Sequence, residues 1–119
     1  MSDTATAPDL SKTVPRSGRH MISGWSWLAR LADKVRAEQA GKAGEYVAYC
    51  PLSMGFLNRA GISREEFDRQ VRAGATDEQL AEHFEKHAAA RKEGANRFVL
   101  EEMRSHLDDQ DAEEGHAKP

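Results

Sequence analysis

A single cysteine, Cys50, leaves this chain without any intramolecular disulfide, and a lone thiol suits a reducing compartment, so a cytoplasmic location is expected. No apolar run approaches the ~20 residues that a membrane-spanning helix requires, and the first twenty residues lack the apolar stretch of a secretory signal. No membrane partner is therefore predicted. Apolar residues make up 39% and aromatic residues only 7%, against 31% charged, with a mean hydropathy of -0.75. A core drawn from so little is small, and it gives marginal stability unless a partner adds to it. At 119 residues the chain is shorter than an average domain, so one compact unit is expected. Strand signals are as scarce: Tyr46, Ala48 and Cys50 alternate with Val47 and Tyr49, but no second strand is found, and extended linker is the reading. No internal repeat is present.

The net charge of -3 is small, but its two signs are separated along the chain. Lys12, Arg16 and Arg19 follow Asp9 without another acid, whereas Glu101, Glu102, Asp108, Asp109, Asp111, Glu113 and Glu114 surround only Arg104. Two solvated ends are the simplest reading of that asymmetry.

Helical periodicity is the strongest signal present. Residues 1 to about 20 carry almost no large apolar group and read as an arm, in which Pro15 pushes Val14 towards an extended conformation and lets Thr13 to Ser17 dock as a strip. From Trp25, the spacing of Trp27, Leu28, Leu31, Ala32 and Val35 predicts a helix over 25 to 40, capped by Gly41. A short helix is expected from Ser53 to Arg59, stopped by Gly61. Ser63-Arg64-Glu65-Glu66 and Thr76-Asp77-Glu78-Gln79 both read as capping boxes, so two helix starts follow, the first helix ending at Gly74. Phe98, Val99, Met103 and Leu107 place a last helix at about 95 to 107, beyond which the chain is expected to fray.

Several groups carry chemistry worth testing. His83 and His87 sit at i and i+4, one above the other on a helix, but Phe84 occupies the place of the general-base glutamate in the metalloprotease motif; a solvated helix edge is expected, and no metal. Cys50 would need a histidine or a helix N-terminus to become a nucleophile, so a small buried hydrophobe is expected there. Gly41-Lys42-Ala43-Gly44 lacks the P-loop spacing and reads as a turn. Arg30, Asp33 and Lys34 lie within about one helical turn. If Arg16 of the arm and the start of the short helix near Ser53 converged on them, a carboxylate or phosphate would meet guanidinium donors and a positive dipole; the bland alternative is salt bridging within the helix and docking of the arm. Glu45 becomes a general acid or base only if burial raises its pKa; otherwise it holds a basic residue while the Tyr46 ring packs inside.

A run of short motifs lies along residues 9 to 84: Asp9-Leu10, Pro15-Arg16-Ser17, Gly24, Leu28-Ala29-Arg30, Asp33-Lys34-Val35-Arg36-Ala37, Gly41 to Tyr46, Pro51-Leu52, Phe56-Leu57, Gly61-Ile62, Phe67 and Gly74 to Asp77. In this the chain resembles an uncharacterised family of small bacterial proteins, a domain of unknown function. That family's pattern has an aspartate after Pro-Leu and a tryptophan near the end of the last matched helix, where Ser53 and Phe84 stand here. The resemblance implies no activity, cofactor or catalytic residue, and it draws attention to Arg16, Arg30, Asp33, Lys34, Glu45 and Tyr46.

An all-α fold is expected, one small domain of about five helices over residues 21–107, with an N-terminal arm at 1–20 and an acidic disordered tail at 108–119. The functional expectation is a non-enzymatic module that binds a small anionic ligand or a partner protein through those six residues, without a cofactor. Two alternatives stand beside it: an enzyme with Glu45 as acid or base and Arg30 holding substrate, and nucleic-acid binding by the basic arm, which the acidic chain disfavours. Trp25, Trp27, Phe56 and Phe67 are much aromatic surface for so small a chain, and a homodimer would share it.

Overall fold

A computed structural model describes residues 6–116. Among them every regular element is helical: α1 Leu28–Gln39, α2 Pro51–Ala60, α3 Arg64–Arg72, α4 Asp77–Ala88, α5 Lys92–Arg97 and α6 Arg104–Glu114. A 3-10 turn at Ala89–Arg91 links α4 to α5, and a π-helical turn at Phe98–Glu102 joins α5 to α6, so the last two helices form one interrupted rod and the fold is a five-rod, all-α domain.

Local chemistry explains the boundaries. α1 ends where Gly41 takes φ +71 and the Lys42 N–H donates to the Ala37 carbonyl at 2.7 Å, satisfying a carbonyl that the helix leaves open. Gly61, at φ +75, ends α2 in the same way. Thr76 and Gln79 make both bonds of a capping box at α4. At α3 only half forms: Ser63 accepts from the Glu66 N–H, while the Glu66 side chain turns to Gln70 and Arg69.

Three expectations need correction. The first helix begins at Leu28, not Trp25, because an antiparallel bridge between Ile22 and Trp25 closes a tight loop and Trp27 sits in the left-handed region at φ 68. That conformation is costly for a bulky side chain, and packing holds it: the Trp27 N–H donates to the Gly18 carbonyl at 2.8 Å and the ring is fully buried. A Cβ on Gly18 would lie 2.5 Å from the ring, so residue 18 has no room for a side chain. The short helix starts at Pro51, with Cys50 and not Ser53 at the N-cap, since proline suits the first helical position, where no backbone N–H is needed. Finally, the chain does not fray after Leu107. Residues 108–114 continue as α6, whose start at Arg104 follows the π-helical turn, and α5 runs through Gly94. Residues 1–5 of the expected arm and 117–119 of the expected tail lie outside the described residues.

The core is aromatic at its centre. Trp25 meets Phe84 and Phe56 edge-on, at centroid distances of 5.0 and 6.3 Å, Phe67 meets Phe84 edge-on at 6.1 Å, and Phe56 stacks on Phe84 at 5.8 Å. All these rings, with Trp27, are buried within one chain, so the aromatic surface that suggested a shared dimer interface is already covered.

Candidate functional site

The six residues singled out by sequence lie on and around α1, and the structure divides them. Arg16 docks on α1 with its Nε and Nη2 donating to the Asp33 carboxylate at 3.0 and 2.9 Å, while Nη1 donates to Asp77 at 2.8 Å in the first turn of α4. The arm is pinned further by the Leu10 N–H, which donates to the Lys42 carbonyl at 2.8 Å; Gly44 passes so close that a Cβ would sit 2.9 Å from the Leu10 oxygen. The Gly41 to Gly44 turn thus ends a helix and seats the arm.

Arg30 forms a two-pronged pair with Glu114, at 2.8 and 2.7 Å, and is only 2% exposed. Glu114 also accepts from the Tyr46 hydroxyl at 3.0 Å. Burial pushes the Glu114 carboxyl up, but the hydrogen bonds from Arg30, Tyr46 and His116 outweigh it and hold the group below its ordinary value. Asp77 behaves alike: burial raises it, and Arg16 with Arg36 lowers it further than burial lifts it. Arg19 completes the pattern by pairing with Asp111 and Asp108 at 2.8 and 2.7 Å. The guanidiniums expected to receive an external anion are therefore filled by the chain's own carboxylates. Glu114 and Asp111 were missed because the tail read as solvated, and Asp77 because it read only as part of a capping box. The signal was present as the opposite charge of the two ends, which pair across the fold.

Lys34 is the exception. It is 4% exposed, and among the described residues its ammonium has one hydrogen-bond partner, the Cys50 Sγ at 3.7 Å, and no carboxylate within ion-pair distance. The same ammonium lies 5.5 Å from the centroid of the Trp27 ring, which gives a modest cation–π attraction. Burial holds the Lys34 pKa below its ordinary value, although Cys50 and the more distant Glu114 oppose the shift.

Cys50 sits at the N-cap of α2, where the helix dipole favours negative charge. Its sulfur lies 3.5 Å from the Ser53 hydroxyl, and that hydroxyl accepts from the Trp27 indole N–H at 3.0 Å. Either the thiol or the hydroxyl can donate in that contact, and the indole bond fixes where the hydroxyl sits. Burial raises the thiol pKa; Ser53, Lys34 and the backbone N–H groups of Ser53 and Leu52 bring it below the ordinary value of 9.0. Cys50 is therefore more than the small buried hydrophobe expected. Cys50, the N-cap of α2, thus lies against Lys34 of α1.

By residues 12–117 the chain matches the model of a family described as a domain of unknown function, DUF5069. The chain belongs to that family. No curated protein matches it significantly. The family description assigns no activity to DUF5069, so the chemistry of this member rests on its own geometry.

The remaining candidates fall away from the cluster. Glu45 is exposed on the turn after Gly44, not in the dry environment that acid–base work would require. His83 and His87 have ring centroids 4.5 Å apart on the wall of an open groove of about 540 Å³ that Gln70 and Gln79 also line. Burial and the neighbouring His87 lower the His83 pKa. Among the described residues no group of three or more histidine, cysteine or acidic side chains is placed to hold a metal. No helix among them is long and apolar enough to cross a membrane.

Proposed function

We propose that this DUF5069 protein is a non-enzymatic bacterial module of the cytoplasm that binds a small anionic ligand, with Lys34 as its charge and the N-terminus of α2 as its dipole. The observation that carries the reading is the state of Lys34. Among the buried cations of α1, Arg30 and Arg36 each face a carboxylate, and Lys34 alone faces a thiol, that of the N-cap residue of α2. A buried ammonium without an acid is costly, and a ligand carboxylate or phosphate would remove that cost. Tyr46 joins the neighbouring Arg30 clasp, its ring against the guanidinium and its hydroxyl donating to Glu114. Arg16, Arg30 and Asp33 support the site by fixing α1, and Glu45 lies outside it, exposed on the turn after Gly44.

Neither alternative has comparable support. An acid–base role for Glu45 finds no burial around it, and Arg16 and Arg19 of the basic arm are paired within the chain, leaving little positive surface for nucleic acid. Native mass spectrometry of protein purified gently from a bacterial host tests the proposal, with Lys34→Met beside it. A small anion retained by the wild type and missing from a folded Lys34→Met supports it. A bare wild type overturns it and leaves a partner protein as the ligand.

A further inference from the structure

Occupancy of this site has a chemical consequence that follows from how Lys34 and Cys50 compensate one another. With the thiol ionised, the ammonium has its counter-ion in the thiolate, 3.7 Å away. Any reaction that makes the sulfur neutral removes that counter-ion and leaves a positive charge in a place that is 4% exposed. A modifying group that brings its own carboxylate restores the balance, and one that brings an ammonium makes it worse.

We propose that Cys50 takes up a small carboxylate-bearing thiol as a mixed disulfide, with Lys34 receiving the adduct's carboxylate. The inference rests on the reading of Lys34 as an anion site and adds to it a covalent bond. Three observations support the nucleophile: the half-buried Cys50 at the N-cap of a ten-residue helix, the Ser53 hydroxyl held by Trp27 at 3.5 Å from its sulfur, and the buried ammonium of Lys34 at 3.7 Å from it. The step is thiol–disulfide exchange. The Cys50 thiolate attacks one sulfur of an acidic disulfide R–S–S–R, the reagent's S–S bond breaks as the Sγ–S bond forms, and the departing R–S⁻ takes a proton from water. Cys50 is oxidised to the disulfide level and half of the reagent is reduced to thiol.

The test compares two disulfides of opposite charge on the full chain, glutathione disulfide and cystamine, followed by denaturing mass spectrometry. The wild type is expected to gain one adduct, released by reductant, and to react with the acidic reagent faster, on the order of tenfold. Cys50→Ser is expected to gain none. Lys34→Met, checked for helicity by circular dichroism, is expected to lose the preference for the acidic reagent. A wild type that stays unmodified, or that reacts with cystamine as fast as with glutathione disulfide, overturns the inference without needing any variant to fold. An anion seen on the wild type under native conditions but lost on denaturation, with no adduct from either disulfide, overturns the covalent step alone and leaves the anion site standing.

Discussion

Arg30 and Lys34 stand one helical turn apart on α1, both almost removed from water, yet the fold treats them oppositely. Arg30 reaches α6 and forms a two-pronged pair with Glu114, so that the C-terminal helix, the arm and α1 are tied at one point. Lys34 reaches the start of α2 and meets the Cys50 thiol, which lies 3.5 Å from the Ser53 hydroxyl. A buried cation paired with a carboxylate holds structure together, whereas a buried charge with no opposite charge beside it is maintained at a cost to stability and marks a place where another group can act. The same pattern, a cation facing inward on α1, yields a clasp at one residue and a candidate site at the next turn.

Substituting both residues by the same apolar side chain sets that contrast most directly. Arg30→Met strands the Glu114 carboxylate and should cost about 3–5 kcal/mol, read from the urea midpoint at neutral pH. A loss below about 1 kcal/mol would show that the clasp adds little beyond a surface pair. Gly18→Ala comes next, because its new Cβ meets the buried Trp27 ring and the Leu107 side chain; a destabilisation of about 1–3 kcal/mol is expected in the same assay. A neutral result would mean that the left-handed Trp27 turn yields easily.

Acid should act on the clasp before the core. Glu114 and Asp77 have folded pKa values below their ordinary 4.5 and 3.8, so the stability they add is fully present above those values and is lost as pH falls through the lower, folded values. Urea midpoints measured from pH 7 down to pH 3 should therefore drop below about pH 4.5. Arg30→Met should flatten the part due to Glu114, and an unchanged slope would assign the loss elsewhere.

The smallest expected stability change is that of Lys34→Met, within about 1 kcal/mol of zero or stabilising, since it removes an ammonium that no carboxylate balances. Its effect should appear in chemistry instead. The pH profile of Cys50 alkylation by iodoacetamide should have its midpoint below 9.0 in the wild type and move up in Lys34→Met. A midpoint that stays put would assign the shift to Ser53 and the helix start alone.

Much of the scaffold could be read from residue order, because the signals are local. Thr76 with Gln79, and Gly41 and Gly61 at helix ends, satisfy backbone groups within a few residues of themselves, and neighbours in sequence suffice to recognise them. Trp25 and Trp27 misled because helical spacing continues through them while a bridge to Ile22 and a bond to Gly18 hold them outside the helix. The acidic end misled more, since Asp111 and Glu114 look solvated until the arm and α1 are brought against them.

The candidate site divides along the same line. Sequence alone determined the family, the all-α class, the positions of Arg16, Arg30, Asp33 and Lys34 on the arm and one helix face, and the separation of charge between the two ends. Only the tertiary structure decided which of those cations meets a carboxylate. Partner choice depends on contacts such as Arg30 with Glu114 across 84 residues, Arg16 with Asp77 across 61, and Lys34 with Cys50 across 16. Local spacing reports which groups share a face, but Coulomb energy and desolvation depend on distance and burial in space, and those exist only once the chain is packed.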